Sequence, residues 1–211
     1  MKTAALQMVS GSTLAHNLAR AADLMAQAAQ AGAELVVLPE YFCLLGRRDT
    51  DKLQIQEPMG SGPIQDFLAR SAQDLGLWVV GGTMPLSIGE CIGESIGVSI
   101  GQKQGTSRVF NASLVYNPQG QCVARYDKIH LFSFDNGTER YDESRALRAG
   151  STPAHFDLPS RDGHTWRVGL SVCYDLRFPE LYRHYAQQGA HLLLVPSAFQ
   201  AVRLIELLDR S

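Results

Sequence analysis

Short apolar runs, each closed at once by proline or glycine, restrict the fold of this chain more than any other feature. Glu34-Leu-Val-Val-Leu38 stops at Pro39, Leu77-Trp-Val-Val80 leads into Gly81-Gly82, and residues 191–195 end at Pro196. Runs of this length without polar alternation fit strands covered on both faces. Helical periodicity lies between them. Leu18, Ala21, Ala22, Met25, Ala28 and Ala29 share one face over residues 16–31, with Gly32 as the stop. Pro63 can open a second helix that runs to about Leu75 and closes at Gly76. Alternating strands and helices predict an α/β domain. Residues 109–116 and 121–126 read as strands joined by the turn Asn117-Pro-Gln-Gly120, so a mixed sheet is expected. Residues 3–8 and 166–172 are further strands, and residues 179–188, closed by Gly189, a further helix.

With 211 residues, 45% of them hydrophobic, the chain is long enough for one domain, residues 1–211, with a sizeable core. Nineteen basic and 21 acidic side chains give a net charge of −2, and no long run of either sign points to nucleic acid. Residues 1–10 lack the apolar stretch of a signal peptide and no later segment approaches a membrane span, so the expected location is cytoplasmic. Cys43, Cys91, Cys122 and Cys173 are scattered, with no Cys-x-x-Cys pair, so neither a disulfide framework nor a structural metal is expected. Residues 87–102 repeat a tetrapeptide, SIGE-CIGE-SIGV-SIGQ, and read as an inserted surface loop that carries Cys91 and no chemistry.

Three residues stand where an α/β sheet places its reactive groups. Cys173 follows the apolar strand that ends Val168-Gly-Leu-Ser-Val172 and precedes a turn that enters a helix at Pro179-Glu180, a setting like that of a nucleophile elbow. Glu40 follows the strand ending at Leu38, and Lys128 follows the strand ending near Tyr126. Taken alone, each also fits an ordinary role: a packing cysteine, a surface or capping glutamate, a salt-bridged lysine.

Their context narrows the choice. Leu38-Pro-Glu40-Tyr, Tyr126-Asp-Lys128-Ile-His-Leu-Phe and Gly169-Leu-Ser-Val-Cys173-Tyr-Asp-Leu-Arg-Phe-Pro-Glu180 occur in this order and together resemble the Glu-Lys-Cys triad of the nitrilase superfamily of carbon–nitrogen hydrolases. The resemblance runs from Thr3 to about Phe199, interrupted by the repeat. It implies a nitrilase-like α-β-β-α sandwich with mixed sheets. It also implies Cys173 as nucleophile, Glu40 as base and Lys128 as the positive charge at the oxyanion, helped by a backbone amide near Tyr174. The superfamily's second glutamate matches Tyr141-Asp-Glu143, pointing to Glu143, with Glu139 as a nearby alternative. The scheme uses no metal and no organic cofactor. Arg177 matches a position where relatives hold a substrate carboxylate, and a salt bridge to Glu180 or Asp175 is its other reading. Residues 38–52 look most like the branch of deaminated-glutathione amidases, with ω-amidases close behind, so a small-molecule amide is the implied substrate. His130, His184 and Cys43 are read as structural. The resemblance further implies a homo-oligomer joined through the helix after Cys173. Relatives continue well beyond a Pro-Ser-Ala-Phe segment, whereas this chain diverges after Val202, its tail reading as one more helix. The sandwich is therefore expected to be truncated at its C-terminal end, and an inactive remnant or binding subunit stands as the alternative to an active enzyme.

Overall fold

The computed structural model describes residues 1–48, 50–88, 108–138 and 140–198. Cys91, Glu139, most of the tetrapeptide repeat and the tail from Phe199 lie outside the described residues.

A seven-stranded mixed sheet forms the centre. Strands β1 (Thr3–Ala5), β2 (Leu35–Val37) and β3 (Trp78–Val80) run parallel. Strand β5 (Val109–Tyr116) then pairs antiparallel with β3, with β4 (Met84–Ser87) and with β6 (Cys122–Asp127). The last of these pairings is the expected hairpin, bent by an irregularity at Val115/Tyr116. Ser87, expected in the inserted loop, instead closes β4 opposite Val109.

Both faces of this sheet are covered, which is why its strands show no polar alternation. Val36, Val79, Ala112 and Leu114 pack into a core shared with helices α1 (Leu14–Gln30) and α2 (Pro63–Leu75), through Ala21, Met25, Ile64 and Leu68. Their neighbours Leu35, Val37, Val80 and Val115 face the other way, into a second core. That core is completed by a separate three-stranded sheet, β10 (His155–Pro159), β11 (Thr165–Leu170) and β12 (Leu192–Leu194), through Phe156, Leu158, Val168 and Leu170. Helix α3 (Pro179–Gln187) covers the outer face of the small sheet. Its Tyr185 lies over Gly169, where any Cβ would come within 2.8 Å of the ring, and its hydroxyl donates to the Leu170 carbonyl. The layers are thus α-β-β-α, as the motifs implied. Several boundaries differ from the periodicity reading: β11 ends at Leu170 rather than Val172, and β1 spans three residues. No helix among the described residues is long and apolar enough to cross a membrane.

Two local devices aim the loops at one end of the sheets. The Glu57 carboxylate accepts from the Ile64 and Gln65 amides at 2.6 and 3.1 Å, occupying the otherwise unpaired N–H groups that open α2. Gly82, between β3 and β4, has φ of 49°, and a Cβ there would stand 1.9 Å from the Pro39 carbonyl oxygen. Gly82→Ala is expected to cost about 2–5 kcal/mol in urea unfolding, from left-handed strain plus overpacking. It should also displace Glu40, because Pro39 is the residue that leads into it. An unchanged midpoint would mean that this loop yields freely.

Candidate active site

Glu40, Lys128 and Cys173 leave three different strand ends and converge between the two sheets. Glu40 follows β2, Lys128 follows β6, and Cys173 opens a 3-10 turn, Cys173–Arg177, beyond β11. Glu143 opens a second such turn, Glu143–Arg145, after a small hairpin of β7 (Ser133–Asp135) and β8 (Arg140–Asp142). A two-residue strand, β9 (Leu147–Arg148), returns the chain to the edge of β5. Each approach is pinned by backbone bonds: Lys128 N–H donates to Asn111 O at 3.0 Å, and Cys173 N–H to Pro196 O at 3.0 Å.

The charged trio is almost fully withdrawn from water, with Glu40, Lys128 and Glu143 exposed by 3%, 1% and 4%. Lys128 Nζ lies 3.0 Å from Glu40 Oε1 and 3.1 and 2.9 Å from the two Glu143 oxygens. Groups this deeply buried must satisfy one another. Glu143 is saturated further by the Tyr41 hydroxyl at 3.0 Å and the Phe132 amide at 2.8 Å. Glu40 receives Asn111 Nδ2 at 2.9 Å and the Ala198 amide at 3.1 Å.

These surroundings set the proton affinities. Burial raises the Glu40 carboxyl above the usual glutamate range, and the nearby Glu143 charge adds to it, against the pull of Lys128. Burial alone would weaken the Lys128 ammonium, but the two carboxylates outweigh it and hold its pKa above normal. Burial, then the Glu40 charge, pushes the Cys173 thiol up to about 12, with Lys128 opposing. The resting sulfur is therefore a thiol that needs a base at the moment of attack.

Backbone conformation sets this corner apart. Among the described residues, Tyr41 and Cys173 are the non-glycine residues with positive φ, at 55° and 47°. A left-handed cysteine on the turn after a strand is the geometry of a nucleophile elbow. The next amide, that of Tyr174, donates to no acceptor among the described residues. The Tyr174 ring stands edge-on to Phe132 and Phe178, at centroid distances of 5.1 and 5.6 Å.

A family model of carbon–nitrogen hydrolases matches residues 2–206. This chain is a carbon–nitrogen hydrolase family member. Such a hydrolase is similar, at 35% identity over 201 residues, to the deaminated glutathione amidase of Synechocystis sp., covering 94% of this chain and 66% of that relative. The omega-amidase NIT2 of Homo sapiens is 32% identical over 200 residues, covering 94% and 63%. Nit3 of Saccharomyces cerevisiae, a member of branch 10 of the nitrilase superfamily, superposes with a TM-score of 0.75 at 27% identity, covering 96% of this chain and 66% of Nit3. This carbon–nitrogen hydrolase chain spans just under two thirds of the length of the curated relatives it matches.

The residues expected to act together are thus neighbours, Glu143 included. Arg177 is exposed on the same turn as Cys173 and, among the described residues, makes no ion pair; neither Asp175 nor Glu180 takes it up. Three contributors escaped the sequence reading. Asn111 is a polar residue inside the apolar strand β5, and that mismatch was the available signal. Tyr41 adjoins Glu40 and holds Glu143. Asp175 is fully buried two residues beyond Cys173 and binds His130.

Proposed function

We propose that this chain hydrolyses the carbon–nitrogen bond of a small, carboxylate-bearing amide through a thioester on Cys173. The buried pairing of one lysine with two glutamates, set against a thiol on a left-handed turn, is the observation that carries this reading. As Cys173 sulfur attacks the carbonyl carbon, Glu40 takes the thiol proton. The carbonyl oxygen becomes an anion that Lys128 and the Tyr174 amide stabilise, a contribution of roughly 3 kcal/mol in a dry site. Glu40 then returns its proton to the departing nitrogen, the C–N bond breaks, and ammonia leaves. A water molecule, deprotonated by Glu40, attacks the thioester; the C–S bond breaks to release the acid, and Glu40 hands the proton to the departing sulfur, regenerating thiol and carboxylate. Glu143 serves by holding Lys128, since its own oxygens are filled by Lys128, Tyr41 and Phe132. Arg177, exposed beside the turn, is the group that meets the substrate carboxylate, with the Tyr174 ring bordering it.

One relative's name directs the choice of deaminated glutathione, and the resemblance of residues 38–52 to the ω-amidase branch adds a 2-oxo acid amide, α-ketoglutaramate. Ammonia release in proportion to folded protein supports the proposal, and its absence with both amides would overturn it.

The pH dependence follows from Glu40. Only its carboxylate can accept the thiol proton, and its pKa is raised above the ordinary value of 4.5. The acid limb of kcat/KM is expected to rise through a midpoint above 4.5 and not through it. For stability the sign is opposite. A carboxyl that holds its proton more tightly when folded favours the fold at low pH, and that contribution fades as pH climbs from 4.5 through the raised value. A limb centred at or below 4.5 would remove Glu40 from the base role.

A further inference from the structure

The fully buried Asp175 carboxylate receives four donors, and their places in the chain are what matter. Oδ1 accepts from the His130 amide at 2.9 Å and lies 2.7 Å from His130 Nδ1. Oδ2 accepts from the Tyr126 hydroxyl at 2.7 Å and the Val172 amide at 2.8 Å. Tyr126 and His130 flank Lys128 by two residues on either side, and Val172 immediately precedes Cys173. A carboxylate only accepts, so His130 donates from Nδ1. Its ring is fixed in turn by stacking on Phe178, with centroids 3.6 Å apart and planes 8° from parallel. Tyr126 belongs to the seven-stranded sheet and Val172 continues the three-stranded one, so one side chain joins the two halves of the site.

We propose that Asp175 is the positioning residue of this catalytic centre: by gripping the residues on both sides of Lys128 and the residue before Cys173, it sets the separation between ammonium and sulfur. His130 is the second half of the device, not a spectator. The bonds are charge-assisted and out of water, where they hold geometry firmly. The proposal rests on the amidase reading in using Lys128 and Glu40 as partners of the thiol. Tyr126 and His130 bond Asp175, and Tyr182 and Tyr185 of α3 also feel its charge; Glu40, Lys128 and Tyr182 are the titratable groups that act on Cys173.

The test compares Asp175→Asn, His130→Leu and His130→Asn with the unaltered chain, in two assays. In amide turnover, Asp175→Asn and His130→Leu are expected to lose ~100-fold or more in kcat, the scale of a slight misplacement, with KM changed by only about threefold. His130→Asn keeps a donor near the position of Nδ1 and is expected to recover much of what leucine loses. The second assay is alkylation of Cys173 by iodoacetamide across pH, in which sulfur displaces iodide and no amide bond is cleaved. In the unaltered chain Glu40 assists the thiol, so the rate levels off above the acid limb. In Asp175→Asn and His130→Leu that plateau gives way to a steady climb with pH, as for an unassisted thiol. A merely structural role would lower the unfolding midpoint, leave the plateau in place and give asparagine no advantage over leucine. Folded Asp175→Asn with wild-type kcat and an intact plateau overturns the proposal. If Asp175→Asn does not fold, equal behaviour of the leucine and asparagine variants at His130 overturns it. A chain that hydrolyses neither amide yet shows the plateau defeats the amidase reading alone, while a chain without a plateau defeats both.

Discussion

Cys173→Ala is expected to abolish ammonia release, a loss of ~10⁴-fold or more in kcat, while the protein stays folded. In the proposed reaction the sulfur bonds to the carbonyl carbon, and neither of the other two thiols among the described residues is placed to replace it. Cys43 is 1% exposed, donates to the Thr83 carbonyl at 3.7 Å, and is pushed up by burial to about 12. Cys122 lies at the start of β6 with its thiol on the Ala124 carbonyl, at the far end of that strand from Lys128. Alanine tolerates the left-handed turn at Cys173 about as well as cysteine, so unfolding should move little. The measurement is a coupled ammonia assay beside a thermal melt. Turnover within tenfold of the parent, on about the scale of one lost hydrogen bond, would show that sulfur does not form the intermediate.

Lys128→Met is expected to damage fold and chemistry together. The chain length is kept but the charge is lost, leaving Glu40 and Glu143 buried with no cation between them. Breaking a buried pair from one side costs about 3–5 kcal/mol, because the remaining charge is neither solvated nor matched. Turnover should fall by ~10²–10³ for the oxyanion contribution alone. A signature separates this cause from simple loss of packing: the orphaned carboxylates can take up protons. The deficit in unfolding free energy should therefore shrink from neutral pH toward about pH 5, as protonation neutralises them. A deficit that is small, or the same at both pH values, would mean that the trio is not the buried electrostatic knot described above.

The central strands were legible because burial on both faces leaves an unbroken apolar signature, and the proline and glycine stops at Pro39 and Gly81 marked their ends. The division of strands between two sheets was not, since Leu35 and Val36 face different cores while looking alike in the sequence. β4 and β10 were missed for related reasons: β4 is four residues long, contains Pro85 and runs into the repeat, and β10 carries polar residues on its outward side. Glu40, Lys128, Cys173 and Glu143, which the structure brings together, were singled out through motif company rather than through any property each has alone. Asp175 and His130 could not be paired that way. They lie 45 residues apart, and only the packing of one sheet on the other brings them to 2.7 Å.

That packing has a consequence for how the enzyme tolerates change. Glu40 and Lys128 ride on the large sheet and Cys173 on the small one, so the apolar layer between them works as a spacer. Its thickness, set by Leu35, Val37, Val80 and Val115 against Leu158, Val168 and Leu170, is a reaction coordinate written in side-chain volume. The helix-facing core is just as dry, yet a lost methyl group there loosens a helix. In the spacer the same loss retunes the distance between the Glu40–Lys128 pair and the sulfur, which in the proposed reaction is the distance the proton crosses.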